Sequence, residues 1–490
     1  MVVLVAASAE ASTYIGVGDE IYNILARLEA EGVIKSGLLN TKPISRKEAI
    51  RLLSEAEKNS EGRSEFVKEL VRELRERIRP EESEAGVIRP LDIVYGKYIR
   101  TNADVRTLTY GATREREQAF NRNNDGDLYD RGANYRAGFT SGVEDLGRFS
   151  FYLNPEYRAS EDDNDLVLKR AYGVFDFGWD LVGGKDLQWW GPGYNGAILL
   201  SSNAEPFTMV RITNPVSEPL PWIFKYLGPF KFTFFATRLE KERNDFSEPY
   251  LWGMRFDFKP NPIIEIGLER TALLGGHGRP EGLKTWIDSF IGRDEHGADP
   301  NHQIGDQRAG YDLKLTLPFK QQPLQVYWEG DGEDSRHVLP YKLAYLSGIY
   351  MPRVLIFERI SLRAEYASTH VRGEPNVWYT HGTYTAGYTY KGMIIGHHMG
   401  TDSRDVFFEL SCRVPEKKAR ISLSYDQELH NFSGPVRETS YETALHALIS
   451  LTRRLEIAAS YGIGRIANAG NVAGDGRETR SAGGTITYRF

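Results

Sequence analysis

Gln188 to Gly196 reads Gln-Trp-Trp-Gly-Pro-Gly-Tyr-Asn-Gly, a run that joins large flat aromatic side chains to a backbone unable to continue a strand. Trp189, Trp190 and Tyr194 offer flat apolar faces of the kind that stack on the C–H groups of a pyranose. Pro192 lacks an N–H, and its flanking glycines reach backbone angles closed to other residues, so the rings are expected on a sharp, rigid turn at the mouth of a β structure. A second stretch, residues 274–307, sets charge beside an aromatic: Arg279, Glu281, Trp286, Asp288 and Arg293, with Asp294 and Asp299 beyond. An arginine fork pairs with a sugar carboxylate through two parallel hydrogen bonds, and acidic side chains accept from hydroxyls. Trp189, Trp190, Tyr194, Arg279, Glu281, Trp286, Asp288 and Arg293 are therefore the candidate polysaccharide-binding residues. The plainer alternative is an aromatic pair in a core, with the charges paired to neighbouring loops.

Other chemistries fit less well. A glycosidase needs two acids about 5–10 Å apart, and a loop this acidic produces such pairs by chance. Asn121 to Asp127 opens like a calcium loop, but the twelfth position is Gly132 rather than glutamate, so a solvated turn is expected. His370, His381, His397 and His398 have no ligand spacing. No catalytic set, metal centre or cofactor is expected.

The elements that must position these residues change character near residue 88. Before it, the apolar spacing predicts three amphipathic helices: Asp19 to Glu31, a second opening on the Ser45/Glu48 capping box, and a third over about 61–79 ended by Pro80. From Arg89 onward the period is two. Ala309, Tyr311, Leu313, Leu315 and Leu317 alternate with Gly310, Asp312, Lys314 and Thr316, and Trp252, Met254, Phe256 and Phe258 alternate with Gly253, Arg255 and Asp257. Segments of about 9–12 residues match a tilted membrane-spanning strand. Tight turns (Glu144–Gly147, Lys259–Pro262, Phe319–Pro323, Pro415–Lys418, Thr452–Arg453) alternate with longer loops near 114–130, 159–165, 189–206, 241–249, 274–307, 332–341, 368–402, 429–440 and 466–479. The count is about nine hairpins. The expected fold is thus mainly β: a closed antiparallel transmembrane barrel of about 18 strands with a small N-terminal periplasmic α-helical bundle. Residues 1–11 end in a small-x-small pattern like a signal-peptide remnant, 12–88 form the bundle and 89–490 the barrel.

Composition agrees with this reading. The chain of 490 residues has a formal net charge of −6, which gives no pull toward nucleic acid. Charged residues make up 26 % and recur throughout, so no apolar run reaches the ~18–20 residues of a spanning helix. Cys412 has no partner for an internal disulfide, and it falls on the apolar face with Phe408 and Leu410.

With these features in hand, the chain resembles the Wzi family of outer-membrane capsule-assembly proteins. The resemblance rests on the Trp-Trp-Gly-Pro-Gly motif, on Gly275 to Glu281 (Gly-Gly-His-Gly-Arg-Pro-Glu), on Gly305 to Asp312, and on Gly332-Glu333-Asp334 with Leu339-Pro340. It implies a non-enzymatic lectin that binds capsular or exopolysaccharide and attaches it at the cell surface. The terminal Ile486, Tyr488 and Phe490 resemble the signal read by the barrel-insertion machinery. Partners would be polysaccharide and outer-membrane lipid, and the protein a monomer. The competing reading is a diffusion porin with a wall-tethering head, since residues 28–49 also resemble, loosely, a surface-layer-homology module. Mixed-sign inward residues and long loops argue for a barrel that conducts poorly.

Overall fold

The computed structural model describes residues 11–78, 88–161, 163–292, 305–336 and 339–490. The signal-like residues 1–10 therefore lie outside the described part. Eighteen antiparallel strands close into a barrel. The first, Ile88–Thr101, pairs with the second, Gly132–Leu146, and with the last, Gly476–Arg489, in a ladder from Ile93↔Arg489 to Thr101↔Ser481. Closure leaves no edge strand, so every ladder group finds a partner without water.

Alternation sorts the wall as the sequence implies. Phe151, Leu153, Leu168, Leu268, Tyr311, Phe408, Leu410, Ile421, Leu423, Leu445, Ile463 and Ile486 are exposed on the outer face, and so is Cys412. Arg255, Asp257, Lys259, Asp312, Lys314, Glu365 and Asp426 are buried on the inner one. Such a belt is what a lipid-facing wall requires. The tight turns foreseen near 147, 262, 320, 416 and 452 all join consecutive strands. The loop foreseen at 332–341 does not form at that length, because the strands Leu324–Arg336 and Leu339–Met351 extend through it. Three turns lie outside that set, at residues 177–179, 214–228 and 352–359, and the second leaves Trp222, Ile223, Phe224 and Tyr226 exposed at the short-turn end.

Three helices precede the barrel: α1 (Glu20–Ala30), α2 (Arg46–Asn59) and α3 (Glu65–Ile78). Asp19 caps α1 by accepting from Ile21 N, and Ser45 caps α2 by accepting from Glu48 N, as its capping-box sequence predicts. Their apolar stripes share one core of Leu25, Leu28, Leu52, Leu53, Leu70 and Leu74. This bundle sits in the short-turn end of the barrel. Ala11 N donates to Gly147 O (2.9 Å), Lys47 pairs with Asp176 (2.9 Å), and Lys418 pairs with Glu76.

Glu29 makes a fully buried link. Its carboxylate takes the ammonium groups of Lys259 and Lys314 (2.9 Å for the latter) and accepts from Gln325 Nε2 at 3.0 Å. Burial would raise its pKa, but the two ammonium groups reverse that and hold it at about 2. Because the folded value lies below the ordinary 4.5, the stabilisation is present above that value and is lost only as pH falls through about 2. Glu29→Gln should leave two buried ammonium groups short of a counter-charge, at a cost of up to about 3–5 kcal/mol. A lower melting temperature of the detergent-solubilised barrel and faster proteolysis within residues 11–78 are the expected readouts. Unchanged melting would sink the assignment of Glu29 as the anchor.

Candidate functional site

Trp189 and Trp190 do not form a shelf at the mouth. They lie inside the lumen, 3 % and 0 % exposed, in a two-residue bridge with the plug: Thr41↔Trp190 and Lys42↔Trp189. Trp190 N donates to Leu200 O (3.0 Å), and Gly191 N donates to Asn40 O (2.9 Å). Gly191 adopts φ 117°, a value closed to most side chains, and lies against the Glu329 carboxylate. The Trp190 ring packs edge-on against Phe235 at 5.4 Å, while Lys42 Nζ lies 4.9 Å from the Trp189 ring. Large rings on a loop that folds inward bury more apolar area than rings left at a rim. Residues 189–206 and 369–403 both fold inward and build a luminal core with Phe235, Leu251, Leu273 and Leu346 of the wall.

Tyr194 belongs to the same region. Its backbone N and that of Asn195 donate to the Glu365 carboxylate (2.7 Å each), and its hydroxyl donates to Glu409 (3.0 Å). Arg363 lies 3.7 Å from the ring. Tyr194, Tyr22, Lys42, Trp189 and Tyr350 line a cavity of about 280 Å³ between α1 and the Gly-Pro-Gly turn. Burial, then the charges of Arg363 and Lys314, push Lys42 down to about 7.

Arg279 and Glu281 stand elsewhere, on the turn from Gly275 to Gly282 at the long-loop end. Arg279 N donates to Gly276 O (2.9 Å), and His277 N ties the turn to Ser247 O (2.9 Å). The guanidinium lies 5.0 Å from the Phe246 ring and 5.4 Å from that of Tyr384, whose hydroxyl donates to Gly275 O (3.1 Å). His277, Pro280 and Glu281 are exposed beside it. Arg279 thus presents a flattened, half-buried cation among exposed polar groups.

Trp286 and Asp288 occupy a third place. A helix α4 (Leu283–Phe290) lies against the outside of the wall, where Trp286 meets Tyr250 (5.2 Å) and Phe290 stacks on Trp252 (4.6 Å). Trp252 faces outward, as its alternation implies, but lies covered by this helix. Arg270 explains the placement. It points away from the lumen and donates to Ser289 O (2.8 Å) and Phe290 O (3.0 Å) at the C-terminus of α4. Asp288 pairs with Lys284 at 2.7 Å, and Leu283 and Ile287 remain 78 % and 50 % exposed. Arg293, with Asp294 and Asp299, lies outside the described residues. The expected residues therefore fall into a luminal strut, a surface turn and an outer-wall helix.

The profile of the family described as capsule assembly protein Wzi matches residues 107–480, most of the barrel. The chain belongs to that family. A curated Klebsiella pneumoniae relative, an uncharacterised 55.8 kDa protein in the cps region, is 33 % identical over 185 residues. That match spans 36 % of each chain. Among solved structures, Wzi of Escherichia coli aligns with a TM-score of 0.75 at 21 % identity, covering 98 % of this chain and 100 % of that one. It is described as an outer-membrane protein involved in group 1 capsule assembly and a carbohydrate-binding β-barrel. OccD3 of Pseudomonas aeruginosa aligns at a TM-score of 0.47 and 9 % identity, over 83 % of this chain and 94 % of its own.

For this member of the Wzi family, sequence spacing missed the residues that hold Arg279 flat. Phe246 and Tyr384 come from loops far apart in the chain, and only the fold brings them together. The loop bearing Tyr384 is itself fastened by Glu115, which accepts from Thr401 N (3.1 Å) and from the Thr401 hydroxyl. Burial raises Glu115 to about 7 against these hydrogen bonds and the nearby His430, with Glu117 adding to the rise.

Two outcomes follow from these placements. Trp190→Ala should cost about 3–5 kcal/mol of stability through lost packing, while glycan affinity of the correctly inserted fraction stays unchanged; a selective loss of binding at unchanged melting would return Trp190 to the binding surface. For Glu115 the folded pKa lies above the ordinary 4.5, so the fastening is complete below that value and weakens as pH rises through about 7. Protection of the Thr401 amide from hydrogen exchange, corrected for intrinsic rates, should fall between pH 5 and pH 8 (an assay window of about three units). In Glu115→Gln it should be flat.

Proposed function

We propose that this chain is an outer-membrane protein that binds capsular or related surface polysaccharide and helps assemble or attach it at the cell surface, without cleaving it. Family membership supports the reading, as does the cps-region setting of the Klebsiella relative. The observation that carries it is the filled barrel: a helical plug enters one end, loops pack the other, and the exposed polar groups stand on the loop rim. A diffusion pore needs an open channel; a binder needs a rigid rim. In this reading residues 12–88 form the periplasmic unit, since the helices occupy the short-turn end, and the long loops face outward from the cell. The apolar outer face meets lipid, and α4, with Trp286, rests in the headgroup region.

Of the candidate residues, Arg279 and Glu281 are proposed to touch the glycan, with His277 beside them. Arg279 would pair with an acidic sugar, held flat by Phe246 and Tyr384 as the Arg fork requires. Trp189, Trp190 and Tyr194 would act at one remove by keeping the loops seated.

Arg279→Ala should weaken binding of an acidic oligosaccharide severalfold in a glycan array. The loss should be steeper for long polymer, because multivalent attachment multiplies small losses. In cells, polymer should still be made but be shed into the medium. Retention left intact in a well-inserted Arg279/Glu281/His277 triple variant would remove the rim from consideration. Large, stable single-channel currents from purified protein would favour a porin.

A further inference from the structure

The inner wall carries more negative charge than its neighbours neutralise. Four consecutive strands, Tyr250–Asn261, Ile264–Leu274, Gly305–Leu317 and Leu324–Arg336, place side chains in two adjacent rows across the sheet. One row runs Arg255, Glu269, Gly310, Asp331; the next runs Asp257, Gly267, Asp312, Glu329. All the acids in these rows are buried. Arg255 faces three of them, pairing with Glu269 and lying 2.8 Å from Asp257 and 2.6 Å from Asp312. Among the described residues, neither Glu329 nor Asp331 has a cation within ion-pair distance, Arg255 being taken by the other three.

Their hydrogen bonding is as incomplete as their pairing. Among the described residues, both oxygens of Asp331, which is 0 % exposed, lack a hydrogen-bond partner, as do Glu329 Oε2 and Glu269 Oε1. Glu329 accepts from Ile198 N through its other oxygen. Gly310 sits between Glu269 and Asp331 in their shared row, where any Cβ would overlap Asp331 Oδ1. The glycine leaves the space into which the carboxylates converge. One oxygen from each of Glu269, Glu329 and Asp331 lies within 4.8 Å of the other two.

We propose that Glu269, Glu329 and Asp331 bind a hard divalent cation, calcium above others, inside the lumen. Three points so spaced share a centre at most about 2.8 Å from each, which admits the 2.3–2.6 Å of calcium–oxygen ligation, and an enclosed set of protein oxygens suits calcium's flexible geometry better than magnesium, which keeps several of its waters. The donors are all oxygens, which selects hard ions over zinc or copper. Two positive charges offset the two carboxylates that Arg255 leaves unpaired. Unpaired carboxylates in a water-poor interior would otherwise have to take up protons. The acidic group around Arg122 differs on this point. There Arg122 already lies 2.8 Å from both Asp426 and Glu428, and His398 pairs with Glu428 at 2.6 Å. The cation site is independent of the glycan reading, and it would lock the Ile198 loop onto the wall through Glu329.

The test uses full-length protein purified from membranes into detergent, with elemental analysis by mass spectrometry after gel filtration. One equivalent of calcium per chain is expected, and none in the Glu329→Gln/Asp331→Asn double variant, which keeps shape and removes charge. Because the carboxylates are enclosed, calcium or a chelator is supplied during refolding. Wild type refolded with calcium should melt several degrees above wild type refolded with the chelator, and the double variant should melt at one temperature in both. Metal-free wild type with melting indifferent to calcium would overturn the proposal in favour of protonated carboxyls. So would undiminished calcium in the double variant, and a larger response to magnesium would overturn the choice of ion. If the double variant does not fold, the wild-type metal content and melting shift decide alone.

Discussion

A barrel wall that turns its apolar residues toward lipid must turn its charged ones inward, and in this protein inward does not mean into water. The lumen is occupied by the plug and the loops, so each ion on the inner wall needs a counter-ion or a hydrogen-bonding group brought by another segment. That requirement organises the interior. Glu29 of α1 meets Lys259 and Lys314, Asn40 donates to Asp312 at 2.7 Å, and Thr41 donates to Asp257 at 2.6 Å. Arg122 is drawn in among Asp426, Glu428 and Glu442. Removing one partner from such a pair costs far more than the pair contributes net, because the survivor remains buried. The plug and the loops are therefore held less by their own folding than by charges that only they can satisfy.

The barrel was legible because its rule is local. A period of two, tight turns between long loops and an apolar outer face can each be read within ten residues or so, and alternation assigned Arg255, Asp257, Asp312 and Lys314 to the lumen correctly. The helices were legible for the same reason, down to the Ser45 cap. What stayed hidden depends on contacts between distant segments. Trp190 and Trp286 look alike in sequence, each an aromatic beside polar residues in a long loop. One is enclosed because Phe235 and the inward loops receive it; the other lies on the outer wall because Arg270, pointing toward lipid, needs the carbonyls at the end of α4. Nothing near either tryptophan carries that information. The carboxylates of residues 269, 329 and 331 are further from legibility still, since strand register rather than sequence spacing brings them together.

The Trp-Trp-Gly-Pro-Gly stretch takes on a different meaning in this light. Its composition suits a sugar platform, and for that reason the sequence points to the rim; the same composition suits a strut. Flat rings fill the gap between plug and wall, and Gly191 allows the chain to pass directly over Glu329. A few residues on, Ile198 N binds that same carboxylate, and Tyr379 of the 369–403 loop donates its hydroxyl to Ile198 O at 2.7 Å. The Tyr379 and Tyr388 rings stack at 6.0 Å, and that loop carries Tyr384 under Arg279. A continuous set of contacts thus runs from the acidic wall through the motif to the cation on the rim. Whatever neutralises Glu329 acts on the seating of the loops, and the rim's rigidity depends on that seating. The motif can matter for glycan recognition without a sugar ever reaching its tryptophans.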